Sequence, residues 1–129
     1  MTIDLGCLLV LALWTLVLNH TPAIARMRTL GVKWGMSNRE ETPMVAPWIG
    51  RADRAQRNHL DNLPMLAIVI LIAHITGKHD GITAAASVVM VVARVSHSLV
   101  YICGIKQLRP LFYLLSIIAM LAIVRRIVF

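Results

Sequence analysis

The stretch that decides the fold is RADRAQRNHLDNLPMLAIVILIAHITG, residues 51–77, where a dense set of charges runs without a break into an apolar segment. Its polar residues recur at three- and four-residue steps, and on a helix they share one broad face: Arg51, Arg54, Asn58 and Asp61. Ionisable groups are costly at membrane depth. A charged set that leads into an apolar helix therefore indicates a functional site.

The composition indicates an integral, multi-pass membrane protein. The chain has 129 residues, of which 58% are hydrophobic, and its mean hydropathy is +0.74. A soluble domain of this length would be less apolar. Only helices satisfy their backbone within one apolar segment, so we predict an all-α, four-helix transmembrane bundle that forms one domain over residues 1–129. The spans are predicted at about 4–28, 51–77, 81–103 and 109–128.

The placement of the charges predicts the orientation and excludes other classes of protein. Of thirteen Lys and Arg residues, seven lie between the uncharged apolar segments of the first two spans and two between those of the last two, against three on the other side. The positive-inside rule therefore places these two loops in the cytoplasm and both termini on the opposite side. The net charge of +7 is thus explained without binding to nucleic acid. His74 and His79 lack the spacing of metal ligands, and no metal site is predicted.

Two further polar sets lie at the depth of the charged motif. Near the cytoplasmic end of the third span, Arg94, His97 and Tyr101 share one face, and Arg109 and Tyr113 share a face where the fourth span begins. Arginines outnumber carboxylates in this region, and a buried, unpaired cation is expensive. We therefore expect a lipid phosphate or another anionic ligand to balance them.

A structural interpretation of the same charges stays open. Arg54 and Arg94 can pair with Asp61 or with helix carbonyls and so hold the bundle together. Asp53 is expected to be a solvated partner on the loop side of the motif.

These motifs resemble the MAPEG family, membrane-associated proteins in eicosanoid and glutathione metabolism. Arg-Ala-x-Arg-Ala-x-Arg-Asn-x-x-Asp-Asn-x-Pro opens the second span, Arg-x-x-His-x-x-x-Tyr closes the third, and the similarity covers essentially the whole chain. The chain looks like a prokaryotic-type member similar to microsomal glutathione transferases. The resemblance implies a homotrimer that holds glutathione between neighbouring subunits near the cytoplasmic face. Many members are transferases or peroxidases acting on lipophilic substrates, some are isomerases, and at least one branch is a non-catalytic lipid-binding scaffold.

The resemblance also implies roles for individual residues. Arg109 would be the catalytic residue that assists the thiol, and Arg54 and Arg94 would form a structural charge network. Arg26, a looser match, would reach a glutathione carboxylate from the adjacent subunit. The complete set of implied glutathione-binding residues is Arg26, Arg57, Asn58, Asp61, His97, Tyr101, Arg109 and Tyr113.

Two positions depart from the family pattern. The family commonly has Glu where this chain has Asp61, which is one methylene shorter and is expected to loosen the contact with the glutathione amine. Eicosanoid-synthesising members can carry a serine directly after the arginine, where this chain has Pro110. A serine-assisted mechanism is therefore excluded at that position, and the arginine-assisted one remains.

The chemistry of the residues favours the same ligand. Glutathione carries two carboxylates and one ammonium, which match several arginines and one acid. We expect a membrane-bound, detoxifying glutathione transferase or peroxidase that uses glutathione as co-substrate on a lipophilic small molecule, with membrane lipids and two further copies as partners. The alternative is a non-catalytic lipid-binding scaffold on the same fold. A small transporter is disfavoured, because every acidic residue lies at the end of a span or in a loop.

Overall fold

The part of the chain that the structure describes folds into four long helices and one short one. A computed structural model, which describes residues 1–41 and 43–129, contains in that part α1 (Ile3–Leu30), α2 (Val32–Gly35), α3 (Pro47–Ile75), α4 (Gly81–Cys103) and α5 (Leu108–Val128). All except α2 are long and apolar enough to cross a membrane. The predicted all-α, four-helix membrane fold is therefore confirmed, whereas the homotrimer stays a prediction.

Helix α3 carries the whole charged motif as well as the apolar segment. It begins at Pro47, ahead of the predicted start at residue 51, and proline suits the first turn because its missing N–H needs no partner there. Its 29 residues extend about 43 Å at roughly 1.5 Å per residue. The hydrocarbon core of a bilayer is only about 30 Å thick. In a bilayer, part of α3 would therefore extend beyond the apolar layer, and its charged first turns suit that part.

The turn between α4 and α5 is fixed against the start of α3. Gly104 ends α4 in the left-handed conformation, at φ 83°, which glycine adopts without steric cost. Nε of Arg51 in α3 donates to the carbonyl oxygen of Ile102 at 2.8 Å. A Cβ on Gly104 would lie 3.3 Å from that Nε. A larger residue would therefore crowd Arg51, so glycine allows the turn to approach α3 closely.

The helices enclose a small apolar core and leave apolar outer faces. Helix α4 packs along α5, and α1 packs along α3. Large exposed side chains such as Leu13, Ile68 and Ile118 cover the outside, which suits helices that face lipid or other subunits. The buried core includes Leu11, Leu66, Ile70, Met90, Ala119 and Ile123. We call the half with the ends of α1 and α4 and the starts of α3 and α5 the site half, and the other the opposite half.

Candidate functional site

An open groove lies in the site half, between α3, α4 and the start of α5. Its volume is about 460 Å³, and it brings together five of the residues that the sequence singled out as ligands. None of its described lining residues is acidic. The groove is lined by Asn58, His97, Tyr101, Lys106, Arg109, Pro110 and Tyr113.

Aromatic rings and one guanidinium form the wall of the groove. The ring centroid of the buried His97 lies 5.8 Å from that of Tyr101, edge-on, and 6.2 Å from that of Tyr113. The Arg109 guanidinium carbon lies 4.3 Å from the centroid of the Tyr101 ring, a cation–π contact worth about 0.5–2 kcal/mol. Arg109 forms no ion pair with the residues that the structure describes. Its charge and its N–H donors therefore remain available to a ligand.

Arg94 lies behind this wall with no exposed surface. Its Nη2 donates to the backbone carbonyl oxygen and to Oδ1 of Asn58, both at 3.0 Å. Nε and Nη1 have no partner among the described residues. The sequence leaves two partners open for Arg94, namely Asp61 and a helix carbonyl. In the described part of the chain, Arg94 bonds to the carbonyl and forms no ion pair with Asp61.

The other charges of the α3 motif do not line the groove. Arg54, Arg57 and Asp61 are exposed and recur on one outer face of α3. Within residues 1–41 and 43–129, no ion pair involves any of the three. Asn58 lies beside them on the helix but belongs to the groove. Within one chain, Arg57 and Asp61, which the resemblance implies bind glutathione, therefore lie apart from the groove residues. Their charges are exposed on the outer surface of the bundle.

Arg26 belongs to α1 and contacts α3 on a different side from the groove. Its Nη1 donates to Oδ1 of Asp53 at 2.8 Å, and the two residues form an ion pair. The sequence predicts that Asp53 is a solvated partner on the loop side of the motif. In the structure, Asp53 pairs with Arg26 of α1. The pair lines a second groove of about 370 Å³ together with Trp34 and Gln56. In one chain, Arg26 is therefore neutralised by an acid and does not line the first groove.

Lys106 is a groove residue that the sequence did not single out. It lies in the turn between α4 and α5, where a basic residue is explained by the positive-inside rule alone. The available signal was its position three residues before Arg109 in a short turn. Pro110 lines the groove as well, and it brings no hydroxyl group next to Arg109.

The comparisons with known proteins identify the family. The family model described as "MAPEG family" matches residues 5–129, which is essentially the whole chain and includes every residue of both grooves. The chain belongs to the MAPEG family. No curated protein and no solved structure gives a significant match. MAPEG membership supports roles in glutathione or eicosanoid metabolism in general and leaves the specific activity of this chain to be proposed.

Proposed function

We propose that this MAPEG chain is a membrane-bound glutathione transferase or peroxidase, which activates the glutathione thiol for attack on lipophilic electrophiles or hydroperoxides. The observation that carries the proposal is the composition of the groove. Lys106 and Arg109 lie beside the phenols of Tyr101 and Tyr113, with no carboxylate among the described lining residues. Such a surface attracts an anion and offers hydroxyl donors to it.

The proposed ligand also accounts for the residues that lie outside the groove. Glutathione has two carboxylates and one ammonium, so Arg57 and Asp61 on the outer face of α3 suit its charged ends. A neighbouring copy packed on that face would cover these charges, which are costly when exposed to lipid. In the proposed homotrimer, Arg26 of an adjacent subunit would approach a glutathione carboxylate, in competition with its own Asp53.

We assign thiol activation to Arg109. The thiolate is the nucleophile, and a free thiol of this kind has a pKa near 8.5. A guanidinium next to the sulfur favours the thiolate, and each unit of lowered pKa corresponds to about 1.4 kcal/mol. The hydroxyl of Tyr101 or Tyr113 would donate a hydrogen bond to the same sulfur.

Both reactions balance with this machinery. In conjugation, the thiolate forms a carbon–sulfur bond to the electrophile, a halide leaves with its electron pair, and the thiol proton passes to solvent. In peroxide reduction, two glutathione molecules become a disulfide while a hydroperoxide becomes an alcohol and water. The lipophilic substrate would reach the groove from the bilayer, and the site half would face the cytoplasm with both termini on the other side.

Calorimetry and stopped-flow spectroscopy test the proposal. We expect the purified protein to bind glutathione, to form a thiolate signal at pH 7 and to conjugate chlorodinitrobenzene or reduce a lipid hydroperoxide. The Arg109→Ala protein should still bind glutathione but lose most of the thiolate signal. An unaltered signal would contradict the role of Arg109. Binding without turnover on either substrate would favour the non-catalytic, lipid-binding scaffold.

A further inference from the structure

The buried Arg94 determines which way the side-chain amide of Asn58 faces. Nη2 of Arg94 lies 3.0 Å from Oδ1 and also 3.0 Å from the backbone carbonyl oxygen of Asn58. A guanidinium has donors and no acceptor, so the amide atom that faces it must be the oxygen. The Nδ2 group of Asn58 therefore faces away from Arg94.

That Nδ2 group is free to contact a ligand. The hydrogen bonds of the Arg94 side chain within residues 1–41 and 43–129 all go to Asn58, and Asn58 lines the groove. Within those described ranges, the structure records no acceptor for Nδ2. This atom is not fully buried, so a ligand can reach it. The backbone carbonyl oxygen of Asn58 is engaged a second time, by Nδ2 of Asn62 at 2.8 Å.

We propose that Arg94 is a positioning residue, which acts through Asn58 and presents Nδ2 of that amide to an acceptor oxygen of the ligand. This role goes beyond the structural one that the family resemblance implies for Arg94. It rests on the proposed binding of glutathione, whose carboxylate and peptide carbonyl oxygens are suitable acceptors. Lys106 attracts a negative charge without fixing its geometry, whereas a fixed amide donor selects where one oxygen of the ligand lies.

The isosteric variant Asn58→Asp separates positioning from a purely structural role. It keeps an oxygen towards Arg94 and converts the donor on the groove side into a carboxylate oxygen. We expect the melting temperature to stay the same or rise, because the contact with Arg94 becomes charge-assisted on both sides. We expect the dissociation constant for glutathione, measured by calorimetry, to rise at least about tenfold. Unchanged binding would overturn the proposal.

Asn62→Asp is the matched control for charge. It introduces the same carboxylate one helical turn further along α3, at a residue that does not line the groove. It also removes the hydrogen bond from Nδ2 of Asn62 to the Asn58 carbonyl oxygen, which keeps its bond from Arg94. We expect glutathione to bind this variant nearly as well as the unaltered protein. If Asn62→Asp weakens binding as much as Asn58→Asp, the effect is not specific to the Asn58 donor, and the proposal is wrong.

A measurement without glutathione keeps the two proposals separate. The side-chain amide resonances of Asn58 can be assigned by their loss in the Asn58→Asp protein. We expect these protons to exchange readily with water, and Arg94→Gln to shift them, since glutamine can donate or accept and no longer fixes the amide. Protected protons, or resonances that Arg94→Gln leaves unchanged, would overturn the positioning role. The expected resonances together with a failure to bind glutathione would overturn the proposed function alone.

Discussion

The two halves of the bundle differ in the partners of their charged side chains. In the opposite half, the buried Asp4 accepts a hydrogen bond from Oγ of Ser87 at 3.0 Å. Asp80 there caps α4 and pairs with Arg126, whose Nε lies 2.9 Å from Oδ2. In the site half, Arg109 forms no ion pair among the described residues. Matched charges are what a fold needs for its own stability, and unmatched cations around a groove indicate a ligand from outside.

Among its described residues, the site half also contains one ion pair. Arg26 and Asp53 join α1 to α3 on the side away from the tyrosines. Among the described residues, unpaired cations lie in the groove and on the outer face of α3 that carries Arg57, and others, such as Arg28 and Arg125, lie elsewhere at the ends of helices. We expect substitutions at the unpaired charges of the groove to change ligand binding, and substitutions at paired charges to change stability.

The largest expected effect is a difference in kcat/KM between variants of two arginines in α5. Arg109→Leu should lower kcat/KM for conjugation by about a hundredfold, the usual cost of one preorganised charge that stabilises an anion. Arg126→Leu, at the other end of α5, should leave kcat/KM nearly unchanged, because its partner is Asp80. Steady-state kinetics in one detergent compares the two variants. Equal losses would remove the distinction between the two halves.

The next effect concerns stability alone. Ser87→Ala leaves the buried Asp4 without its recorded donor, so we expect the free energy of unfolding to fall by about 1–3 kcal/mol. Adding Asp4→Leu should recover most of this loss, because both polar groups are then gone. Unfolding in mixed micelles with increasing SDS measures both variants. A double variant less stable than Ser87→Ala would show that Asp4 has another essential partner.

A smaller effect tests whether Arg26 serves more than the fold. The pair with Asp53 is partly exposed, with side chains 24% and 28% accessible, so removing either residue should cost about 1 kcal/mol or less. If Arg26 also contacts glutathione, Arg26→Ala weakens binding roughly tenfold, whereas Asp53→Ala does not. Calorimetry on both variants distinguishes the two roles. Equal dissociation constants would restrict Arg26 to the pair.

The smallest effect is a pH dependence in the opposite half. Hydrogen bonds from the Thr83 backbone N–H and the Arg126 guanidinium hold the pKa of Asp80 below its ordinary value. The folded state then binds this proton more weakly than the unfolded state. Stabilisation is complete above the unfolded pKa, about 3.9, and is lost as the pH falls through the folded value.

The control for this pH dependence is Asp80→Asn, which removes the titrating group and retains a side-chain oxygen as acceptor for the start of α4. We expect the melting temperature of this variant to fall less between pH 5 and pH 3 than that of the unaltered protein. These two pH values lie about one unit on either side of the ordinary carboxyl pKa. Identical pH profiles for the two proteins would rule out this contribution.

The sequence allowed the helices and the grouping around the groove to be predicted. Apolar lengths define four spans, and consecutive spans must run in opposite directions, which places the starts of α3 and α5 beside the end of α4. That alone brings Asn58, His97 and Tyr101 to the depth of Arg109 and Tyr113. No tertiary detail is needed for this result, because depth in a membrane follows from position along each helix.

The rotation of each helix and its partners could not be predicted in the same way. Arg57 and Asn58 are neighbours in sequence, yet one is exposed and the other lines the groove. Which face of α3 meets α4 depends on packing between elements, which no local pattern encodes. The same applies to Arg26 and Asp53, which are 27 residues apart and meet only because α1 packs along α3.

The length of α3 has a consequence for how two substrates meet. This helix is longer than the hydrocarbon layer is thick. Under the proposed function, the groove beside its charged first half would lie near the boundary between oil and water. Under the proposed function, a hydrophilic tripeptide arrives by diffusion through water, and its lipophilic reaction partner arrives by lateral diffusion within the bilayer. Neither has to dissolve in the phase that excludes it, and partitioning concentrates the second reactant at the site.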